Sequence, residues 1–322
     1  MINPELQKVC DDFIDYRELL RETNIFSTTR SINYPLCAYI CMIRKQEPNT
    51  EIISLCKQII HESYGIFNNF RGYSEKTLTV LLSCESDPGR VNDLCRIAYS
   101  ELRALFHASD FLPILAYYMA TTMPPEKYRS FAEGTKALHE LFNDSHPWLT
   151  GDEDTIFNGL LHATGRNHEE IVEETEMIWR MLKDDFWFHK NALQTAAHAM
   201  TLCPGDPALK AGRFHSLFSM LESEGISYSK DFEIVPLAVL ANIGIEPTQI
   251  VADFLECEAY LKENGKYGFW TGYSTRTRYM HAVLVLSVYY QVASNELTAA
   301  FIVSVLIEII REAQAQAAAS AT

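Results

Sequence analysis

An all-α fold is predicted: seven helix-pair repeats behind one N-terminal helix, as an α/α toroid or a tightly wound α-solenoid. Three observations point to it. Seven short apolar segments recur at start-to-start spacings of 42, 34, 44, 37, 42 and 46 residues, the length of a helix pair. The stretches between them read as amphipathic helices, and the connections fall into two chemically different sets. With 322 residues and 48% hydrophobic content, the chain can bury roughly three quarters of its unfolded surface. No Ser/Gly/Pro-rich linker interrupts the repeat, so one body over 1–322 is expected, with an N-terminal helix in 1–25, repeats over 26–316 and a disordered tail at 317–322.

In chain order, the first helix runs from about Pro4 to Arg21. The apolar inner segments begin at Leu36, Leu78, Leu112, Ile156, Leu193, Val235 and His281. Runs such as LTVLLSC are too uniformly apolar to show a period, but their Ala, Leu and Met content and the helices on either side favour helix. Pro35, Pro113 and Pro236 fall in first turns, where proline is tolerated. The outer helices carry start signals: Pro125, Pro207 and Pro247 as first helical residues, and Thr50, Asn167 and Asp206 as caps. In EEIVEETEMIWRML, Ile171, Glu174 or Thr175, Ile178 and Leu182 recur at helical spacing, so one face packs inward. The last apolar stretch, His281 to Ile310, is broken by Ser294, Asn295 and Glu296 and reads as two core helices rather than a membrane span.

The formal net charge of −15 argues against nucleic acid, which needs clustered Lys and Arg. No basic region followed by an apolar core opens the chain, so no secretory signal is expected. Eight cysteines occur without a CxxC pair, and Cys37 and Cys41 sit one helical turn apart; buried free thiols in a reducing cytoplasm are the expectation.

Inner-to-outer turns such as ESDPGR, CPGDP and IGIEPT are built from Pro, Gly and Asp and read as structural. Outer-to-inner connections hold aromatic and ionisable groups, including Trp148, Trp187 and Trp270. In a helix-pair array they gather at one end, beside inner-helix N-termini that favour an anion. Arg30, Arg71, Lys190, Lys230, Arg276 and Arg278 lie near those starts. They hold a phosphate or carboxylate in one reading and pair with Glu75, Asp110, Asp154 and Asp231 in the other.

His146-Pro147-Trp148-Leu149-Thr150-Gly151-Asp152-Glu153-Asp154-Thr155 runs directly into an inner helix. This stretch, with Asn191-Ala192-Leu193-Gln194 and the helical layout, resembles a bacterial family known as a domain of unknown function, DUF4003-like, over nearly the whole chain. The resemblance implies a cytosolic bacterial protein and brings no activity. Residues 152–155 also resemble the DxDD run of class II terpene cyclases, which use α/α-toroid domains. That resemblance makes Asp154 the candidate proton donor and Asp152 its tuning partner. Thr155 stands where the fourth acidic residue belongs, and the plainer reading is that Asp152 and Asp154 cap a helix start.

Asp11, Asp12 and Asp15 have the DDxxD form that binds magnesium diphosphate, which makes magnesium the one cofactor suggested, against the simpler reading of a solvated helix face. Histidines crowd the middle of the chain without HExxH spacing, so no metal site is expected. No GxSxG, GxGxxG or GxxxxGKS motif is present.

The function these features suggest is a pocket protein for a largely apolar small molecule, in its most concrete form acid-initiated isoprenoid cyclisation. Asp154 and Asp152 would do the chemistry, within a wall of His146, Trp148, Thr150, Trp187, His189, Asn191, Gln194, His198, Trp270, Tyr273, Arg276 and Arg278. The rival is a non-enzymatic scaffold for a protein or peptide. Gln194 and His198, one turn apart on a face of small residues, are expected to be buried and hydrogen-bonded. If Asp154 is the acid, Asp154→Asn lowers turnover of prenyl diphosphates or polyprenes by about 10² or more, read by mass spectrometry of products. Unchanged products exclude it as the acid.

Overall fold

The computed structural model describes residues 2–23, 26, 33–145, 151–268, 273–292 and 294–320, with the backbone alone at 145 and 312–320. Among the described residues the regular structure is fifteen α-helices, two 3-10 turns at Asn69–Arg71 and Pro125–Lys127, and one isolated bridge between Gly268 and Tyr273. The all-α prediction holds. Where one body was expected from the unbroken repeat, contacts cluster into two compact units. The first contains Met1–Asp15 and Thr164–Ser304, the second Tyr16–Ala163 and Val305–Thr322. Both draw on α1 (Pro4–Glu22) and α15 (Asn295–Ser320), and the latter continues as helix through most of the expected tail. Composition gives no sign of the division because it falls at the turn after Ala163 and inside two helices, at Asp15/Tyr16 and Ser304/Val305, rather than at a linker.

In the second unit the inner helices are α2 (Asn33–Ile43), α4 (Glu75–Ser83), α6 (Leu112–Thr122) and α8 (Asp154–Ala163). Its outer helices are α3 (Thr50–Ser63), α5 (Pro88–Arg103) and α7 (Tyr128–Ser145). In the first unit α10 (Lys190–Thr201), α12 (Ile234–Leu240) and α14 (Thr275–Tyr289) are inner, and α9 (His168–Leu182), α11 (Pro207–Ser223) and α13 (Pro247–Asn264) are outer. Inner helices pack on inner neighbours and outer on outer. Across the layers, α3 lies on α4, α5 on α6, α7 on α8, α9 on α10 and α13 on α14. For these five outer helices the close packing partner is the inner helix that follows, one step out of phase with the inner-then-outer pairing the sequence suggests, whereas α11 touches α10, which precedes it.

The two layers differ for a physical reason. All residues from Asn33 to Met42 in α2 are buried, as are Leu112 to Ala120 in α6. A helix covered on every side gains from apolar residues at every position, which is why its sequence shows no period. Outer helices bury one stripe, Ile53, Cys56 and Ile60 in α3 and Ile171, Thr175, Ile178 and Leu182 in α9. Close packing also limits side-chain size. A Cβ on Gly159 of α8 would come within 2.6 Å of Leu115 Cδ1 on α6, so these helices approach where no side chain stands between them.

Asn167 and Asp206 cap α9 and α11 as predicted. At α3 the cap is Asn49, whose side chain accepts the N–H groups of Glu51 and Ile52, and Thr50 is already helical. Helix C-termini share a motif. Gln46 N–H reaches Cys41 O after α2 and Val292 N–H reaches Ser287 O after α14, with Lys45 and Gln291 in the left-handed region at φ 53° and 55°. Glycine holds the corresponding position after α11, at Gly225. Since a side chain in that region costs about 1–2 kcal/mol and Lys45 is exposed, Lys45→Gly should stabilise the protein by about 0.5–1 kcal/mol after glycine's greater unfolded entropy is set against it. Urea denaturation should show a higher midpoint with an unchanged slope.

Candidate functional site

The start of α8 is closed by a carboxylate that reaches backwards. Asp154, Thr155 and Ile156 donate their N–H groups to the carbonyls three residues earlier, and Asp154 Oδ2 accepts the Gly151 N–H at 2.8 Å. One N–H that the helix start leaves over is thus satisfied by an acidic side chain, as in a capping box. Asp154 is 1% exposed, Asp152 is exposed. The cap geometry is the second of the two roles the sequence allows for Asp154.

The acid with an altered proton affinity is the residue between them. Glu153 folds over Gly151, where a Cβ would lie 2.6 Å from its carboxyl carbon. Burial first, then the charges of Asp154 and Asp152, push its carboxyl up to about 7, against the opposing pull of Arg311 on α15. The sequence reading passed over Glu153 because the DxDD pattern places its central acid at 154. The usable signal was the middle position of three consecutive carboxylates directly after a glycine. Nearby, burial raises the Asp110 carboxyl, opposed by its hydrogen bonds from Tyr73 N–H and Asn69, with Asp152 adding to the rise. The described inner-helix starts around α8 thus gather carboxylates, not the cations an anion site needs. Residues 66–69, 71–73 and Asp110 border an open cleft of about 470 Å3, in which Phe67 is 96% exposed and Arg71 donates to Tyr64 O at 3.3 Å.

In the first unit, Gln194 and His198 are fully buried with their Nε2 atoms 3.4 Å apart, and Gln194 Oε1 has no partner. Tyr273 lies against Tyr267 and His281 at 5.8 and 5.7 Å, and Tyr267 OH meets His281 Nδ1 at 2.7 Å. Arg278 donates to Glu258 at 2.8 Å beneath the rings of Tyr267 and Tyr279. Arg276 grips Glu233 through two nitrogens and lies 3.9 Å from Asp231. Lys230 donates to Asp185 O and sits over Phe186 and Phe218. These cations at inner-helix starts are held by carboxylates, carbonyls and rings, the pairing alternative to an anion site. Trp187 is exposed against Phe188, His189 is half-buried and Asn191 is exposed at the start of α10. His146, Trp148, Thr150, Trp270 and Arg30 lie outside the described residues.

A cavity of about 430 Å3 opens in the first unit among the turns that follow α10, α12 and α14. Two of these turns, CPGDP and IGIEPT, read in the sequence as plain structural turns. Gly205 and Gly244, at φ 114° and 90°, and Gln291 shape its rim. Leu209, Ile243, Val292 and Leu297 supply apolar wall, and Lys210 Cε lies 4.0 Å from where a Cβ on Gly205 would be. Of the polar residues among the lining, four side chains and Asp206 are engaged within the protein, and Gln291 stands exposed at the rim. Lys210 pairs with Glu174, Arg213 donates to the carbonyls of Ala241 and Ile245, Asn242 to Ala238 O at 2.9 Å, and Tyr290 to Asp253 at 2.5 Å. Asp206, also on the wall, caps α11.

Of the DDxxD run, Asp11 accepts Tyr260 OH at 2.6 Å while Phe13 and Ile14 are buried, so the run is a packed helix segment. Among the described residues no three His, Cys, Asp or Glu side chains converge as a metal ion would require. No described helix is long and apolar enough to cross a membrane. A family model described as a protein of unknown function (DUF4003) matches residues 16–316. No curated protein and no solved structure matches the chain, so the terpene-cyclase resemblance rests on residues 152–155 alone.

The raised pKa of Glu153 has a definite sign in stability. The folded carboxyl keeps its proton to about pH 7, whereas the unfolded one releases it near 4.5, so stability falls as pH rises through that window. Glu153→Gln removes the charge that burial penalises. Its melting temperature should exceed the wild type's at pH 8 and match it at pH 4, read by calorimetry at both.

Proposed function

As the chain belongs to the DUF4003 family, a membership that carries no activity, we propose from its geometry alone that it binds a largely apolar small molecule in the first unit's cavity. The observation that carries this reading is the wall. At about 430 Å3 the space falls within the roughly 300–1,000 Å3 range of small-molecule pockets. Because Lys210, Arg213, Asn242 and Tyr290 are already engaged, what faces a ligand is chiefly Leu209, Ile243, Val292, Leu297 and the Lys210 stem, with Gln291 at the rim. A hydrocarbon-rich molecule displaces water from such a surface without stripping hydrogen bonds.

Proton donation has less support than binding. The carboxyl on the described wall is Asp206, occupied as a cap, and residues 152–154 are not among the lining. An acid-initiated reaction, if the family performs one, would centre on Glu153 rather than Asp154. Eight free thiols suit a reducing cytoplasm, and the charge of −15 disfavours nucleic acid. The scaffold reading draws on the exposed Ile66, Phe67, Trp187 and Phe188, large apolar groups on loops.

The test is a thermal-shift and calorimetric screen of the full chain with saturated and unsaturated fatty acids, linear isoprenoid alcohols and small aromatic compounds, repeated on Leu297→Trp. Occupying the space with an indole should weaken a true ligand at least about tenfold while leaving the far-ultraviolet spectrum unchanged. No binding by the wild type to any class, or binding that survives the tryptophan, overturns the proposal and leaves scaffolding as the better account.

A further inference from the structure

Charge is distributed unevenly around the cavity of the first unit. Three helices end on it: α10 and α14, of 12 and 15 residues, each bring the negative end of a helix dipole to the wall, and the shorter α12 adds less. Two helices also begin there, each capped by a side chain. At α11 the Ala208 and Leu209 N–H groups go to Asp206 Oδ1, the Lys210 N–H goes to Asp206 O at 3.0 Å, and Pro207 has no N–H to offer. At α15 the Leu297 N–H goes to Ser294 Oγ at 3.1 Å and the Thr298 N–H to Ser294 O at 2.9 Å, with the acidic Glu296 in the same turn. The two cations on the wall are committed as well. Lys210 is held by Glu174, while Arg213 donates to Ala241 O at 3.1 Å and to Ile245 O and lies 3.7 Å from Glu246. Asp206 is different. Its side chain is exposed and caps α11 with Oδ1, and Oδ2 accepts no hydrogen bond among the described residues.

We propose, on the footing of the apolar-pocket reading, that the ligand of this cavity is an amphiphile with a protonated amine on a hydrocarbon body, taking Asp206 as its counter-ion. The hydrocarbon lies on Leu209, Ile243, Val292 and Leu297, the surface open to any apolar ligand. The ammonium group donates to Asp206 Oδ2 in a charge-assisted hydrogen bond and faces the negative ends of α10 and α14. A fatty acid of the same length brings a carboxylate to the same place, where Asp206 and the helix ends repel it and the wall cations already have partners. The amide of Gln291 at the rim can serve either head group and does not choose between them. A neutral alcohol falls between the two, because its hydroxyl donates to the same oxygen without a charge.

The experiment titrates octylamine, octanol and octanoate into the full chain by calorimetry at pH 7 and low salt, each below its critical micelle concentration. Octylamine should bind at least about fivefold tighter than octanol and at least about tenfold tighter than octanoate. Asn caps a helix about as well as Asp, so Asp206→Asn removes the charge and keeps the start of α11. In that variant the octylamine affinity should fall about threefold or more while octanol stays within about twofold. Thermal melts check that the variant folds, and Asp206→Ser serves if it does not. A chain of net charge −15 attracts any cation weakly. Octylamine is therefore also titrated into Leu297→Trp, where its binding should weaken at least about tenfold. Octanol or octanoate binding as tightly as octylamine, or octylamine binding that is unmoved by Asp206→Asn or survives Leu297→Trp, overturns the inference. The apolar pocket itself still stands in those cases if octanol loses affinity in Leu297→Trp. No binding of any of the three overturns both.

Discussion

An inner helix that is apolar around its whole circumference has no stable exposed face, so every other part of the structure answers the need to cover it. The outer layer does so with one stripe per helix, which leaves the opposite faces free to carry the acidic surface. Polar chemistry is then confined to helix ends, and this is where the capping carboxylates, paired arginines and left-handed turns are found. The cavity of the first unit and the acidic turn before α8 both sit at such ends.

Some of the polar groups admitted to the interior bind one another. Glu174 receives both Arg166 and Lys210, and Thr175 meets Thr201 at 2.9 Å between α9 and α10. Such buried pairs contribute little net stability over an apolar replacement but are costly to break singly, so they favour one register of helix on helix. Lys210 illustrates the link to the candidate pocket. Its charge is held by Glu174 while its stem forms cavity wall, so the contact that positions α11 also keeps an ammonium group from facing a hydrocarbon ligand.

The layers were legible because burial on all sides and burial on one side leave different patterns, as in LCAYICMI against EEIVEETEMIWRML. Asn167 and Asp206 were legible as caps for the same local reason, while Thr50 lost the role to Asn49, one residue earlier and equally suited. What local patterns could not show was adjacency created by packing. Cys10 sits in the terminal helix, yet its thiol neighbour is that of Cys257, 3.7 Å away. Glu153 owes its raised proton affinity first to burial and then to Asp154 and Asp152, and is moderated by Arg311 from a distant part of the sequence. The cavity combines residues from Pro204 to Leu297, each ordinary in its own turn. A ring of turn residues has no signature until three turns are brought side by side.

The phase of the packing bears on how the chain is made. Five of the outer helices rest on the inner helix that follows, so during synthesis each emerges before its partner and waits for the next helix to cover it. The first half of α1 waits far longer. It belongs with residues 164–304, and Cys10 meets a sulfur 247 positions downstream. Phe13, which packs against His281, must remain uncovered until nearly the whole polypeptide has left the ribosome. The N-terminal helix therefore acts as a late clasp. A nascent chain of this kind is most exposed to chaperones and proteases at its beginning, and stalling near the end would leave the clasp open on an otherwise assembled molecule.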